Sequence, residues 1–156
     1  MKIKLVWIGK PDSDIFDEAI QHYTQKVKFY TPFEPAAIPY LKNTQSLSRE
    51  EQKKKEGELI LKKIAPGDFV VLLDEKGQEY TSEKFAGFIQ QQAVVGTKNV
   101  VFVIGGAYGF SDAVYARGNS KIALSKLTFP HIMARLIFTE QLYRAFSILH
   151  GEPYHH

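Results

Sequence analysis

Runs of apolar residues and amphipathic runs take turns along the chain. Residues 3–8 (IKLVWI) read as a short apolar strand. Ile15, Phe16, Ala19, Ile20, Tyr23 and Val27 then recur at helical spacing, behind the cap candidates Asp12, Ser13 and Asp14. A second strand spans Phe33 to Ile38, between Pro32 and Pro39. Ser48 opens a helix, and Glu51 three residues on completes a capping-box pattern. That helix runs to about Ile64 and stops before Pro66-Gly67. FVVLL, Phe69 to Leu73, is a third strand, and residues 82–94 form the next helix. VVFVI, Val100 to Ile104, is a fourth strand. A short helix follows Ser111, a strand lies near Ile122 to Leu124, and a long helix covers about His131 to His150.

Strands alternating with helices predict an α/β fold: a mostly parallel sheet flanked by helices. FVVLL and VVFVI lack alternation, as strands buried on both faces do. The 156 residues suit one domain, residues 1–156, with no internal repeat or linker. The absence of cysteine removes disulfide scaffolds, thiol catalysis and cysteine-based zinc sites. The first residues, MKIKLVWIGK, lack the long apolar core of a signal peptide, and no run is long enough to span a membrane. A cytoplasmic location is therefore expected. A formal charge of +3 permits a nucleic-acid partner without requiring one. Lys53-Lys54-Lys55 lies among Glu50, Glu51, Glu56 and Glu58, and reads as a solvated helix face laced with ion pairs.

The last helix carries apolar residues on every side: Ile132, Met133, Leu136, Ile137, Phe138, Leu142, Tyr143 and Phe146 among them. Such a helix must be buried all round, and a homodimer interface is expected here. Glu140 and Arg144 are spaced as an i,i+4 pair.

Candidate chemistry gathers at strand exits. Gly105-Gly106-Ala107-Tyr108-Gly109 follows the fourth strand, and glycines there allow a ligand close to the backbone. The segment is neither GxGxxG nor a P-loop, so alone it fits a tight turn equally well. LLDEKGQEYTS leaves the third strand, and LSKLTFPH, Leu124 to His131, leads into the long helix. The histidines show no HExxH or paired zinc spacing, so no metal is expected. His131 reads as a cap or packed residue. G-x-S-x-G is absent.

The strings LDEKGQEYTSEKFA, VFVIGGAYGF, LSKLTFPHIMARLIFTEQLYRAFSILHGEPYH and KEGELIL resemble the ribosomal RNA large subunit methyltransferase H family, within the α/β-knot (SPOUT) class. The resemblance runs from MKIKLVWIGK to the final Tyr-His. It implies a C-terminal deep trefoil knot, a rare exception to unthreaded connections, and an obligate homodimer. It implies methylation of ring nitrogen 3 of a pseudouridine in 23S ribosomal RNA on the assembled ribosome, with S-adenosylmethionine (AdoMet) as donor. By matched position, Leu73 lines the adenosine pocket and Gly105 meets AdoMet through its backbone. Leu124, Ser125, Lys126, Leu127, Thr128 and Phe129 form the knot loop around adenine and ribose. Ala107-Tyr108 stands in a stretch that varies among relatives.

Methyl transfer from a sulfonium is an in-line displacement, so alignment is the main contribution. The imide proton must leave, and His155, beside Tyr154, is the first candidate for a base titrating near neutrality. Arg144 is the candidate to steady negative charge or grip a phosphate, against a purely structural pair with Glu140. Tyr143 and His131 rank behind them. The rival readings are a SPOUT enzyme of another RNA nucleotide and a non-catalytic ribosome-associated dimer.

Overall fold

The computed structural model describes residues 1–10 and 15–156. The cap candidates Asp12, Ser13 and Asp14 lie outside the described residues. Among the described residues five strands form one sheet: β1 (Lys2–Ile8), β2 (Phe33–Ile38), β3 (Phe69–Glu79), β4 (Asn99–Ile104) and β5 (Ser120–Ala123). The order is β2-β1-β4-β3-β5, and each neighbouring pair is parallel. Pro35 sits in β2 at the sheet edge, where a missing N–H costs no ladder bond on the open side. Residues 5–8 of β1, 69–73 of β3 and 100–104 of β4 are apolar on both sides because helices cover both faces.

The α-helices among the described residues provide that cover: α1 (Asp17–Tyr30), α2 (Arg49–Leu61), α3 (Ser82–Val94), α4 (Asp112–Arg117) and α5 (His131–Leu149). Ile3, Leu5, Trp7, Val100 and Phe102 pack with Val27 of α1, Phe85 and Ile89 of α3, and Phe138 and Leu142 of α5. On the opposite face Val6, Ile8, Val101 and Val103 meet Ile60 of α2 and Val114 of α4. Each fully buried Phe or Leu contributes on the order of 2 kcal/mol. Phe102 and Phe138 join sheet to α5 with ring centroids 4.7 Å apart.

Capping is legible where it is described. Ser48 accepts from the Glu51 amide at 3.1 Å, and Thr81 and Ser111 cap α3 and α4 in the same way. Helix α2 ends at Leu61 rather than Ile64; tighter bonds from the Lys63 and Ile64 amides to Ile60 and Leu61 finish it. Glu56, read from the sequence on a solvated face, is instead 4% exposed.

Helix α5 lies between α1 and α3 in one layer. Two helices and the sheet therefore cover much of the apolar circumference that the sequence assigned to a partner chain. Ile132, Met133, Leu136 and Ile137 stay only half-buried. The chain after α5 folds back as a 3-10 turn, Pro153–His155, with the Tyr154 ring tilted 53° to the Tyr143 ring at a centroid distance of 4.5 Å. No helix among the described residues is long and apolar enough to cross a membrane.

Candidate functional site

Neighbouring strands β3 and β4 send their chains in opposite directions. The β3 exit leads through α3 on one face back to β4, and the β4 exit leads through α4 on the other face across to β5. A crevice opens at such a divergence, beyond the carboxyl ends of the strands. A cavity of about 570 Å³ occupies it.

Seven of the eight residues expected to hold a cofactor line this cavity: Leu73, Gly105, Leu124, Ser125, Leu127, Thr128 and Phe129. The eighth, Lys126, does not; its exposed ammonium lies 3.5 Å from Glu79. The sequence stops β3 at Leu73, but the strand resumes after an excursion. Leu73 and Gln78 both face Ile122 of β5, so residues 74–77 are displaced from the ladder. The displaced segment brings Asp74, Glu75 and Lys76 to the cavity wall. Asp74 accepts from the Lys76 amide at 2.9 Å, and the Thr128 hydroxyl donates to Glu75 at 3.2 Å. The Tyr115 hydroxyl donates to Asp74. Burial, reinforced by that carboxylate, pushes the Tyr115 phenol up to about 12.

The glycine loop forms the opposite wall. A β-carbon on Gly105 would lie 3.0 Å from the Phe110 ring, and Gly109 has φ +83°. Both positions suit glycine for stated reasons, close approach and the left-handed region. His131, the first residue of α5, also lines the cavity, and burial pushes its imidazole below the ordinary value. It is held neutral at neutral pH. Arg49 and Lys53 of α2 close the rim, with Arg49 over the Tyr108 ring at 5.2 Å and Lys53 paired to Glu50 at 2.8 Å. Sequence reasoning missed Asp74, Glu75, Tyr115, Arg49 and Lys53. The turn DEKG marked the first two; nothing local marks residues that arrive from α2 and α4.

The catalytic candidates converge elsewhere. Arg144 holds Glu140 through Nε at 3.0 Å and Nη2 at 2.7 Å. Its Nη1 lies 3.3 Å from Nδ1 of His155, and its guanidinium stands over the Tyr154 ring at 4.8 Å. The Tyr154 hydroxyl donates to Glu140 at 3.1 Å. Nε2 of His155 meets Glu83 at 2.9 Å, a bond that lowers the Glu83 carboxyl to about 2. Glu83, His155 and His156 offer ligand atoms all within 4.8 Å of one another, although the Arg144 cation beside His155 opposes a second cation there. The tail is docked, not frayed. None of Arg144, Tyr154 and His155 lines the cavity. Arg144 follows His131 by thirteen residues on one helix, about 20 Å along its axis.

Residues 1–155 match the family model described as predicted SPOUT methyltransferase. The chain belongs to the SPOUT methyltransferase family. Among its relatives is the ribosomal RNA large subunit methyltransferase H of Parabacteroides distasonis, 54% identical over 156 residues, which covers 100% of this chain and 99% of the relative. Proteins of the same name from Christiangramia forsetii and Bacteroides thetaiotaomicron are 54% and 51% identical over the same shares. The α/β architecture and the family read from the sequence are both borne out.

Proposed function

We propose that the chain transfers the methyl group of AdoMet to ring nitrogen 3 of a pseudouridine in 23S ribosomal RNA, as a cytoplasmic homodimer acting on the assembled ribosome. The observation that carries this reading is the convergence of Leu73, Gly105, Leu124, Ser125, Leu127, Thr128 and Phe129 on one cavity. These residues come from three strand exits that are far apart in sequence. The names of the relatives, methyltransferases of large-subunit ribosomal RNA, supply the substrate class.

The residues fit an adenosyl ligand. The cavity volume falls in the usual range for small-molecule sites. Leu73, Leu124, Leu127 and Phe129 offer apolar surface for a base, and backbone groups of residues 124–129 read its edge. Gly105 leaves room for close approach. Bound AdoMet supplies an activated methyl group on a sulfonium. His131, kept neutral by burial, adds no positive charge against it. Arg144 steadies negative charge or a phosphate, and His155, next to Tyr154, accepts the imide proton.

The reading includes the C-terminal trefoil knot. The contacts of Thr128 with Glu75 and Lys126 with Glu79 set residues 124–129 beside 74–79, as a threaded crossing requires. A single chain keeps Arg144 far from the cavity, so the homodimer has a chemical purpose: one subunit's tail serves its partner's cavity.

Calorimetric titration with AdoMet, followed by mapping of 23S methylation in a deletion strain, tests the reading. Binding, and loss of one methyl group at a pseudouridine, is expected. Absence of binding would favour a non-catalytic ribosome-associated dimer; a methyl group lost from another nucleotide would favour a different SPOUT substrate. Protein-free RNA is expected to be methylated weakly, because a chain of charge +3 neutralises few phosphates. Equal rates on naked RNA and ribosomes would contradict that.

A further inference from the structure

Glu56 is a carboxyl group in an unusual place. It stands on α2 and is 4% exposed. Its Oε1 is buried with no hydrogen-bond partner among the described residues. The Gln52 amide, one turn earlier, favours the charged form, but burial outweighs it and raises the carboxyl's affinity for a proton. No ion pair to it is formed among the described residues. A buried carboxylate without a cation is costly, and the protonated acid avoids that cost.

What the carboxyl touches is the glycine loop. A β-carbon on Gly106 would fall on the Glu56 carboxyl carbon and both oxygens. The next residue, Gly57, is equally constrained: a β-carbon there would strike Ser111, the N-cap of α4. Arg49 covers Tyr108 at the tip of the loop. Helix α2 thus meets the β4–α4 connection at its start, its tip and its end. Of the three contacts, the one at Gly106 is the one made by an ionisable side chain with an oxygen to spare. The loop itself has spare polar groups, since the amides of Ala107 and Tyr108 donate to no acceptor among the described residues.

We infer that Glu56 is a positioning residue for the cofactor loop: its buried carboxyl, packed against Gly106, holds residues 105–109 in the shape an adenosyl ligand needs. The inference rests on the AdoMet reading for its purpose, but the loop's dependence on Glu56 is measurable without any ligand. Glutamine keeps nearly the same shape against Gly106; alanine leaves that space unfilled.

The test uses the full chain in four forms: wild type, Glu56→Gln, Glu56→Ala and Gly106→Ala. Amide hydrogen exchange is followed without ligand, and AdoMet affinity by calorimetry. In Glu56→Ala and Gly106→Ala, exchange is expected to accelerate in residues 105–110 and to stay unchanged in β1 and α5. Affinity is expected to fall about tenfold. Michaelis kinetics on ribosomes should show that loss in the KM for AdoMet, with kcat retained. Glu56→Gln should match wild type in exchange and lie within about threefold of it in affinity. Loop exchange unaltered in Glu56→Ala overturns the inference. So does a Glu56→Gln protein as impaired as Glu56→Ala, because it would mean that the negative charge is needed. Should Glu56→Ala fail to fold, Glu56→Gln and Gly106→Ala still decide. Failure of wild type to bind AdoMet would sink the functional reading instead, and the exchange data would still judge Glu56.

Discussion

His155 sits between a cation and an anion, with Arg144 on Nδ1 and Glu83 on Nε2. Both partners hold the ring in place, and neither belongs to the cavity. If the imidazole is the base, its removal should affect the chemical step and spare the nucleoside site. His155→Ala is therefore expected to lower kcat by about a hundredfold or more, in the range of general-base effects, with AdoMet affinity unchanged by calorimetry. Unchanged turnover rejects the assignment. Glu56 makes a different statement, about stability. Its carboxyl lies above the ordinary 4.5 when folded, because burial disfavours the charge. Below 4.5 both folded and unfolded chains hold the proton and the group costs nothing. As pH rises through the folded value, the unfolded chain has already lost its proton, and folding must either keep one or bury a charge. Stability is lost in that window. Glu56→Gln should consequently melt near wild type in acid and above it in alkaline buffer. A difference in Tm that does not grow with pH would mean that the carboxyl titrates as an exposed one.

Among the elements, β3 is the one that the site bends. Its residues 74–77 leave the ladder, and Gly77 crosses back against β5 so closely that a β-carbon would lie 2.7 Å from the backbone of Ile122 and Lys121. Backbone cannot swing aside as a side-chain tip can. Gly77→Ala is expected to cost about 1–3 kcal/mol, the usual penalty for forcing atoms into a packed site, and to weaken AdoMet binding by moving Leu73 and Asp74. A Tm and an affinity both equal to wild type would remove the excursion from the argument. This element also marks where sequence reading ran out. Phe33–Ile38 was legible from its proline boundaries, and the helix at about residues 82–94 from its pattern; the Thr81 cap that starts it appears only in the structure. The stop of β3 at Leu73 was right about turn chemistry, because Asp74 does close a local turn onto the Lys76 amide. It was wrong about the strand, because what restores Gln78 and Glu79 to the ladder is β5, more than forty residues later. Glu56 was misread for the same reason. Its neighbours Lys55 and Glu58 are exposed, and the partner it packs against, Gly106, lies fifty residues further along the chain. The backbone-lined site was legible through its glycines and the LSKLTFPH string; the rim side chains of α2 and α4 carry no local signal of their own.

At the scale of the whole molecule, the cavity and the cluster proposed to carry the chemistry lie apart. The cavity opens at the start of α5, and Arg144, Tyr154 and His155 cluster about 20 Å further along it. A methyl group moves between atoms in contact, so a single chain cannot use both places on one nucleotide. A two-fold partner can, if α5 of one subunit runs against the other in the opposite sense, because its tail then lies over the first subunit's cavity. The half-buried Ile132, Met133, Leu136 and Ile137 at the cavity end of α5 leave an apolar strip for such a contact. Mixing two inactive variants separates the alternatives. Take Gly105→Val, in which the added carbons collide with the Phe110 ring and close the cavity, and Arg144→Ala, in which the tail loses its guanidinium. In a mixed dimer whose sites are shared between subunits, one site pairs the intact cavity of the Arg144→Ala chain with the intact tail of the Gly105→Val chain. That site is whole, and activity on ribosomes should return to about one quarter of wild type, since random exchange makes about half the dimers mixed and each holds one working site of two. If each chain completes its own site, every site in every dimer carries a lesion, and mixing restores nothing.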